Sequence, residues 1–189
     1  MKKLLLFTAM VCFAVLAKAQ STEYRAFKFD IGFGYAIPTA NSNGGTKAGA
    51  TFTLQPHYRL SDEFAVGLRI EGAGLGYENG ANNTNDVKVE ILSSYCATGE
   101  YYLMKGGFRP FIGAGFGFFT QQSADVNSNT VQQDNNTVVL VPGGTKFGLF
   151  PEAGFEAGHF RMSADYNVAG GNNNYASFKI GFFFGGGRK

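Results

Sequence analysis

The 189-residue chain has no tryptophan, five prolines and two cysteines, and charged residues make up only 16% of it. Each shortage excludes something. Cys12 lies within the first twenty residues, so the rest of the chain holds Cys96 alone and an intramolecular disulfide is excluded there. Beyond residue 19 no apolar run approaches the ~20 residues of a membrane helix, so any crossing must be built from strands. An excess of positive charge is missing too. Without Lys2, Lys3 and Lys18 there are 13 basic and 14 acidic residues, which removes the electrostatic case for nucleic acid.

Residues 1–19 have the layout of a cleaved export signal. Lys2 and Lys3 form a basic start, Leu4 to Leu16 an apolar stretch, and Ala17-Lys18-Ala19 a small-residue cleavage site before Gln20. Cys12 does not mark a lipoprotein, since Val11 precedes it and apolar sequence continues beyond it. Residues 20–189 are a length suited to one domain.

What the chain has in quantity is 27 glycines and 20 phenylalanines, and their spacing is regular. Phe178, Ile180, Phe182 and Phe184 alternate with Ser177, Lys179, Gly181 and Gly185. Near the start, Phe27, Phe29, Ile31, Phe33, Tyr35 and Ile37 alternate with Lys28, Asp30, Gly32, Gly34 and Ala36. A period of two is a strand with two unlike faces. Eight such strands are predicted, at 25–38, 48–60, 64–77, 89–103, 109–121, 145–157, 160–169 and 175–185. Val138 to Val141 leaves open an earlier start for the sixth, interrupted at Pro142-Gly143-Gly144.

The connections alternate as well. Those after strands two, four and six are tight, through Ser61-Asp62-Glu63, Met104–Phe108 and Gly158-His159. The other four are polar and rich in Asn and Gly, the longest spanning Gln122–Gly144. Short turns at one end and long loops at the other predict an all-β, eight-stranded antiparallel up-and-down transmembrane β-barrel with both termini on the short-turn, periplasmic side. Volume settles the faces. An eight-stranded interior is just filled by side chains and cannot hold rings such as Phe29, Phe116, Phe147 and Phe178 together. The phenylalanine face therefore turns to lipid, with Gly and charged residues inward. Tyr58, Phe64, Tyr101 and Phe160 near the turns, and Tyr35, Phe118 and Tyr166 near the loops, are expected to form aromatic girdles.

Two stretches carry a resemblance. Phe108-Arg109-Pro110-Phe111-Ile112-Gly113-Ala114-Gly115-Phe116-Gly117, after Glu100-Tyr101-Tyr102-Leu103, is similar to the fifth strand of small Gram-negative outer membrane β-barrel proteins. Phe178 to Gly187 is similar to their closing strand, although this chain ends on Arg188-Lys189 where many members end on an aromatic residue. The family includes OmpX, OmpW and the OmpA barrel, labelled "porin family" or "outer membrane protein beta-barrel domain". The resemblance implies an outer membrane location, lipid and the barrel-assembly machinery as partners, and no cofactor.

The inward charges are the candidate site. They include Asp30, Arg69, Glu100, Glu152, Glu156, Arg161, Asp165 and Lys179, with Lys28, Arg59, Glu71, Arg109 and Lys146 on the same face. Register counted from the turns sets Glu156 opposite Arg161 and Asp165 opposite Lys179. Asp30 is a candidate partner where strand one closes the barrel, and Arg69 comes within reach of Glu100. Buried charges must be paired or hydrated, so the set reads as an ion network filling the lumen, or else as a path for a small solute.

Catalytic patterns are weak. His57 and His159 both fall near the short-turn end, away from the outer leaflet where a lipid-modifying triad would sit. Asp125-x-Asn127-x-Asn129 begins like a calcium loop, but Thr130 stands where Gly is needed and Asn136 where Glu is needed. Gly113-Ala114-Gly115-Phe116-Gly117 lies in a strand and opens no helix, so it is no dinucleotide fingerprint. The sequence thus favours a plugged membrane scaffold that presents its loops to an extracellular ligand or surface. A narrow small-solute channel is the alternative, and a lipid-modifying enzyme comes third.

Overall fold

Alternation along every strand produces a barrel. In the computed structural model, eight strands close antiparallel in sequence order, with β1 also paired to β8. They are β1 (Phe27–Pro38), β2 (Thr46–Arg59), β3 (Phe64–Tyr77), β4 (Val87–Tyr102), β5 (Phe108–Val126), β6 (Val138–Ala157), β7 (Phe160–Asn167) and β8 (Tyr175–Gly185). The structure describes residues 23–39, 46–77, 87–126, 138–170 and 174–189. The expected export signal, and all of the calcium-like loop beyond Val126, lie outside the described residues. Closure satisfies every strand edge by pairing, which is what a hydrocarbon surround demands.

The two faces are the reverse of a water-soluble protein. Phe33, Phe116, Phe147, Phe178 and Phe182 are each more than half exposed on the outside, while Lys28, Arg59 and Arg69 have no exposed surface at all. The tyrosines expected in the girdles, Tyr35, Tyr58, Tyr101 and Tyr166, are also outward and exposed.

The strand limits hold to within a few residues, except in the third hairpin. There β5 runs on to Val126 and β6 begins at Val138, pairing residue by residue beyond Gln122↔Pro142. The break foreseen at Pro142-Gly143-Gly144 is a bulge inside one strand, since the register shifts between Thr120↔Thr145 and Gln122↔Pro142. An extra residue there bends the ribbon without ending it. A Cβ on Gly143 would collide with the Gln121 carbonyl, so glycine is required where the chains close up.

The segments that flank β1 and β8 meet at the short-turn end. Tyr24 bridges to Arg188, and the Arg25 amide donates to the Gly187 carbonyl at 2.9 Å. At the same end, outside the spanning strands, Lys105 donates to Glu63 at 2.8 Å, tying two turns together. That bond holds the Glu63 carboxyl below its ordinary range and the Lys105 ammonium above its own.

Candidate functional site in the barrel lumen

Inward positions from all eight strands fill the lumen in tiers. Nearest the short turns lie Lys28 and Asp30 on β1, His57 and Arg59 on β2, Glu100 and Tyr102 on β4, Arg109 on β5, Glu152 and Glu156 on β6, and Arg161 on β7, all buried. Four lysine or arginine cations thus meet four carboxylates. The Glu156 carboxylate accepts from Lys28 Nζ at 2.5 Å, Arg109 Nη2 at 2.5 Å, Arg161 Nη1 at 3.2 Å and the Tyr102 hydroxyl at 2.8 Å. Arg59 reaches it at 3.5 Å. Arg161 also donates to Glu100 at 2.6 Å and Glu152 at 3.1 Å. His57 bridges two acids, with Nδ1 2.7 Å from Asp30 and Nε2 3.2 Å from Glu100.

The next tier is smaller. Arg69 and Glu71 on β3 face Asp165 on β7 and Lys179 on β8, two cations with two anions. Lys179 donates to Glu71 at 2.7 Å and to Asp165, while Arg69 reaches Asp165 at 3.4 Å and Asn167 at 2.5 Å. Tyr175 and Ser177 donate to Glu71 and Asp165 at 2.7 and 2.9 Å. Above the charges the lumen turns apolar. Phe150 stacks on Arg69, with the guanidinium carbon 3.4 Å from the ring centroid, and packs with Cys96, Phe119 and Ala169. A second cluster joins Leu75, Leu92 and Tyr175 with Ala36 and Ala73. Between the two tiers, beside Asp30, Gln55 and Lys179, a void of about 10 Å³ has room for roughly one water.

Glycine makes this density attainable. Phe150 sits directly across from Gly115, Phe111 from Gly154, His57 from Gly67 and Lys179 from Gly34. A Cβ at any of these glycines would overlap the large side chain opposite it. Each small residue is the seat of a large one.

The expected site residues divide between the tiers. Glu156 is paired with Arg161 as expected. Asp165 is opposite Ser177, not Lys179, and the ion pair forms on the diagonal, within side-chain reach. Arg69 is opposite Cys96, with Glu100 four residues farther along β4, so Arg69 binds Asp165 and Glu71 instead. Asp30 is not part of the Asp165–Lys179 group; it binds Lys28 at 3.1 Å and His57. Lys146 is exposed near the rim. His57 does lie near the short turns, but its bridge between Asp30 and Glu100 is outside the expected network, as are the inward rings of Tyr102, Phe111, Phe119, Phe150 and Phe183. Their signal was present: in Phe118-Phe119 and Phe182-Phe183-Phe184, adjacent rings cannot all face lipid.

The Asp165–Lys179 contact is open to direct measurement. Asp165→Asn should destabilise the barrel more than Asp165→Asn combined with Lys179→Met, because the single change leaves two buried cations, Arg69 and Lys179, sharing Glu71 alone. The coupling should be about 0.5–3 kcal/mol in a double-mutant cycle read by urea unfolding. Strict additivity would mean that the two side chains do not act as a pair.

A family model described as "Outer membrane protein beta-barrel domain" matches residues 5–184. The chain belongs to this family. No curated protein matches the sequence. Among solved structures, Neisserial surface protein A is 14% identical, with a TM-score of 0.60 over 84% of this chain and 96% of that one. Ail, the attachment invasion locus protein of Yersinia pestis, solved with the heparin analogue sucrose octasulfate, is 14% identical at a TM-score of 0.53 over 84% and 99%. The outer membrane protein OprG from Pseudomonas aeruginosa is 15% identical at 0.50 over 86% and 97%. At such identities the likeness is one of fold. This outer membrane barrel shares the eight-stranded closure of its neighbours.

Proposed function

We propose that this outer membrane barrel is a scaffold that holds its long connections at the cell surface in an adhesion-type role. On this reading it neither catalyses nor conducts. The observation that carries it is the filled lumen, where matched charges and seated rings leave room for roughly one water between the tiers. Both termini then face the periplasm, lipid and the assembly machinery are its partners in the membrane, and a ligand or surface meets the loops. Ail supports the role by its name and its heparin-analogue complex, and the family supports the location.

In a planar bilayer the purified protein should give no steady conductance, because salt-bridged side chains cross the axis at two levels. Large, stable, porin-like openings would overturn the scaffold and establish the channel. Deleting residues 128–136 should leave a folded, heat-modifiable barrel that has lost adhesion of whole cells to their target. Undiminished adhesion would place the contact elsewhere.

A further inference from the structure

We propose that the short-turn mouth of the barrel is a binding site for a phosphate group. A cavity of about 460 Å³ lies there, within the range of small-molecule pockets. Arg25, Arg109, Arg188 and His159 line it with Tyr24 and glycines of the turns, and among the described residues its lining includes no aspartate or glutamate. Gly107, Gly158 and Gly187 leave it open, since a Cβ on any of them would meet nothing within 4 Å. Three arginines line one space, from the N-terminal segment, from β5 and from the C-terminal segment.

Arg109 supplies an independent sign. Its guanidinium is buried and held flat between rings, with the carbon 4.4 Å from the Tyr24 centroid and 5.1 Å from that of Tyr102. Nη2 donates to Glu156, but buried Nη1 has no hydrogen-bond partner. That nitrogen is closed off from the cavity, so Arg109 backs the wall with its charge while the exposed Arg25 and Arg188 side chains offer the accessible donors. Arg188 spends part of its charge on Glu23 at 3.4 Å, yet that pair is exposed and exchanges easily for a stronger anion. Guanidinium suits phosphate because its planar fork donates to two oxygens at once, which a point charge cannot do. The acceptor could be the headgroup phosphate of an anionic lipid in the adjoining leaflet or free phosphate, and both present the same oxygens.

The test uses the full barrel purified in nonionic detergent and native mass spectrometry with phosphatidylglycerol, diacylglycerol or inorganic phosphate. The wild type should retain phosphatidylglycerol or phosphate, and not diacylglycerol. Phosphatidylglycerol retained without phosphate assigns the site to lipid; displacement of phosphatidylglycerol by phosphate assigns it to the free anion. The double variant Arg25→Gln with Arg188→Gln removes two exposed side chains. It should bind roughly tenfold more weakly while its urea midpoint stays unchanged. Absence of binding to the wild type, equal retention of diacylglycerol, or equal binding by the double variant would each overturn the proposal.

Discussion

Glu156→Gln should lower the urea midpoint of the barrel more than any other single lumen change, with a loss of about 3–5 kcal/mol. One carboxylate accepts from Lys28, Arg109 and Arg161, with Arg59 at 3.5 Å, and the substitution keeps its size while deleting its charge. The first tier then holds four such cations against Asp30, Glu100 and Glu152, all of them buried. Restoring the balance should restore the barrel. Arg59→Met in the Glu156→Gln background should recover part of the loss, since Arg59 Nε and Nη1 have no partner to forfeit. A midpoint for Glu156→Gln equal to that of the wild type would show that the tier contributes nothing to stability.

The second large effect belongs on the outside. Ile180→Arg should cost about 2–4 kcal/mol of stability in vesicles, because Ile180 is exposed midway along the apolar face of β8, between Phe178 and Phe182. Ala176→Arg, four residues nearer the long connections on the same face, should cost about 0–1 kcal/mol. The depth dependence identifies the solvent. Unfolding in urea, followed by loss of the heat-modifiable gel band, reads both variants. Equal small losses would mean that the phenylalanine face does not meet hydrocarbon.

Sequence alone told more about which face a residue occupies than about what stands across from it. A one-residue slip would carry Phe178 inward and Lys179 into lipid, so parity was legible from the pattern. A slip of two keeps every residue on its face, and only the connection or the lumen can fix that offset. The two-residue turn Gly158-His159 fixes it, and Glu156 opposite Arg161 was read correctly. Asp165 with Lys179 and Arg69 with Glu100 were both counted across long connections, and their registers differ from expectation. The lumen supplies the missing constraint. Shifting β5 against β6 by two would set Phe111 against Glu152 or Glu156 in place of Gly154. No local pattern reveals that, because the seat and the ring are more than forty residues apart.

The unequal strands also give the barrel a profile. Where β7 has 8 residues and β8 has 11, β5 has 19 and β6 has 20. The last outward ring of β5 is Phe118, and the strand runs six residue steps from Thr120 to Val126. At ~3.4 Å per residue and a tilt near 40°, that ribbon rises about 15 Å above the hydrocarbon. Among the described residues the rim is therefore a step, low along β7–β8 and high along β5–β6. Anything sliding in the membrane plane meets a wall from one direction and an open floor from the other, so the barrel has a front and a back.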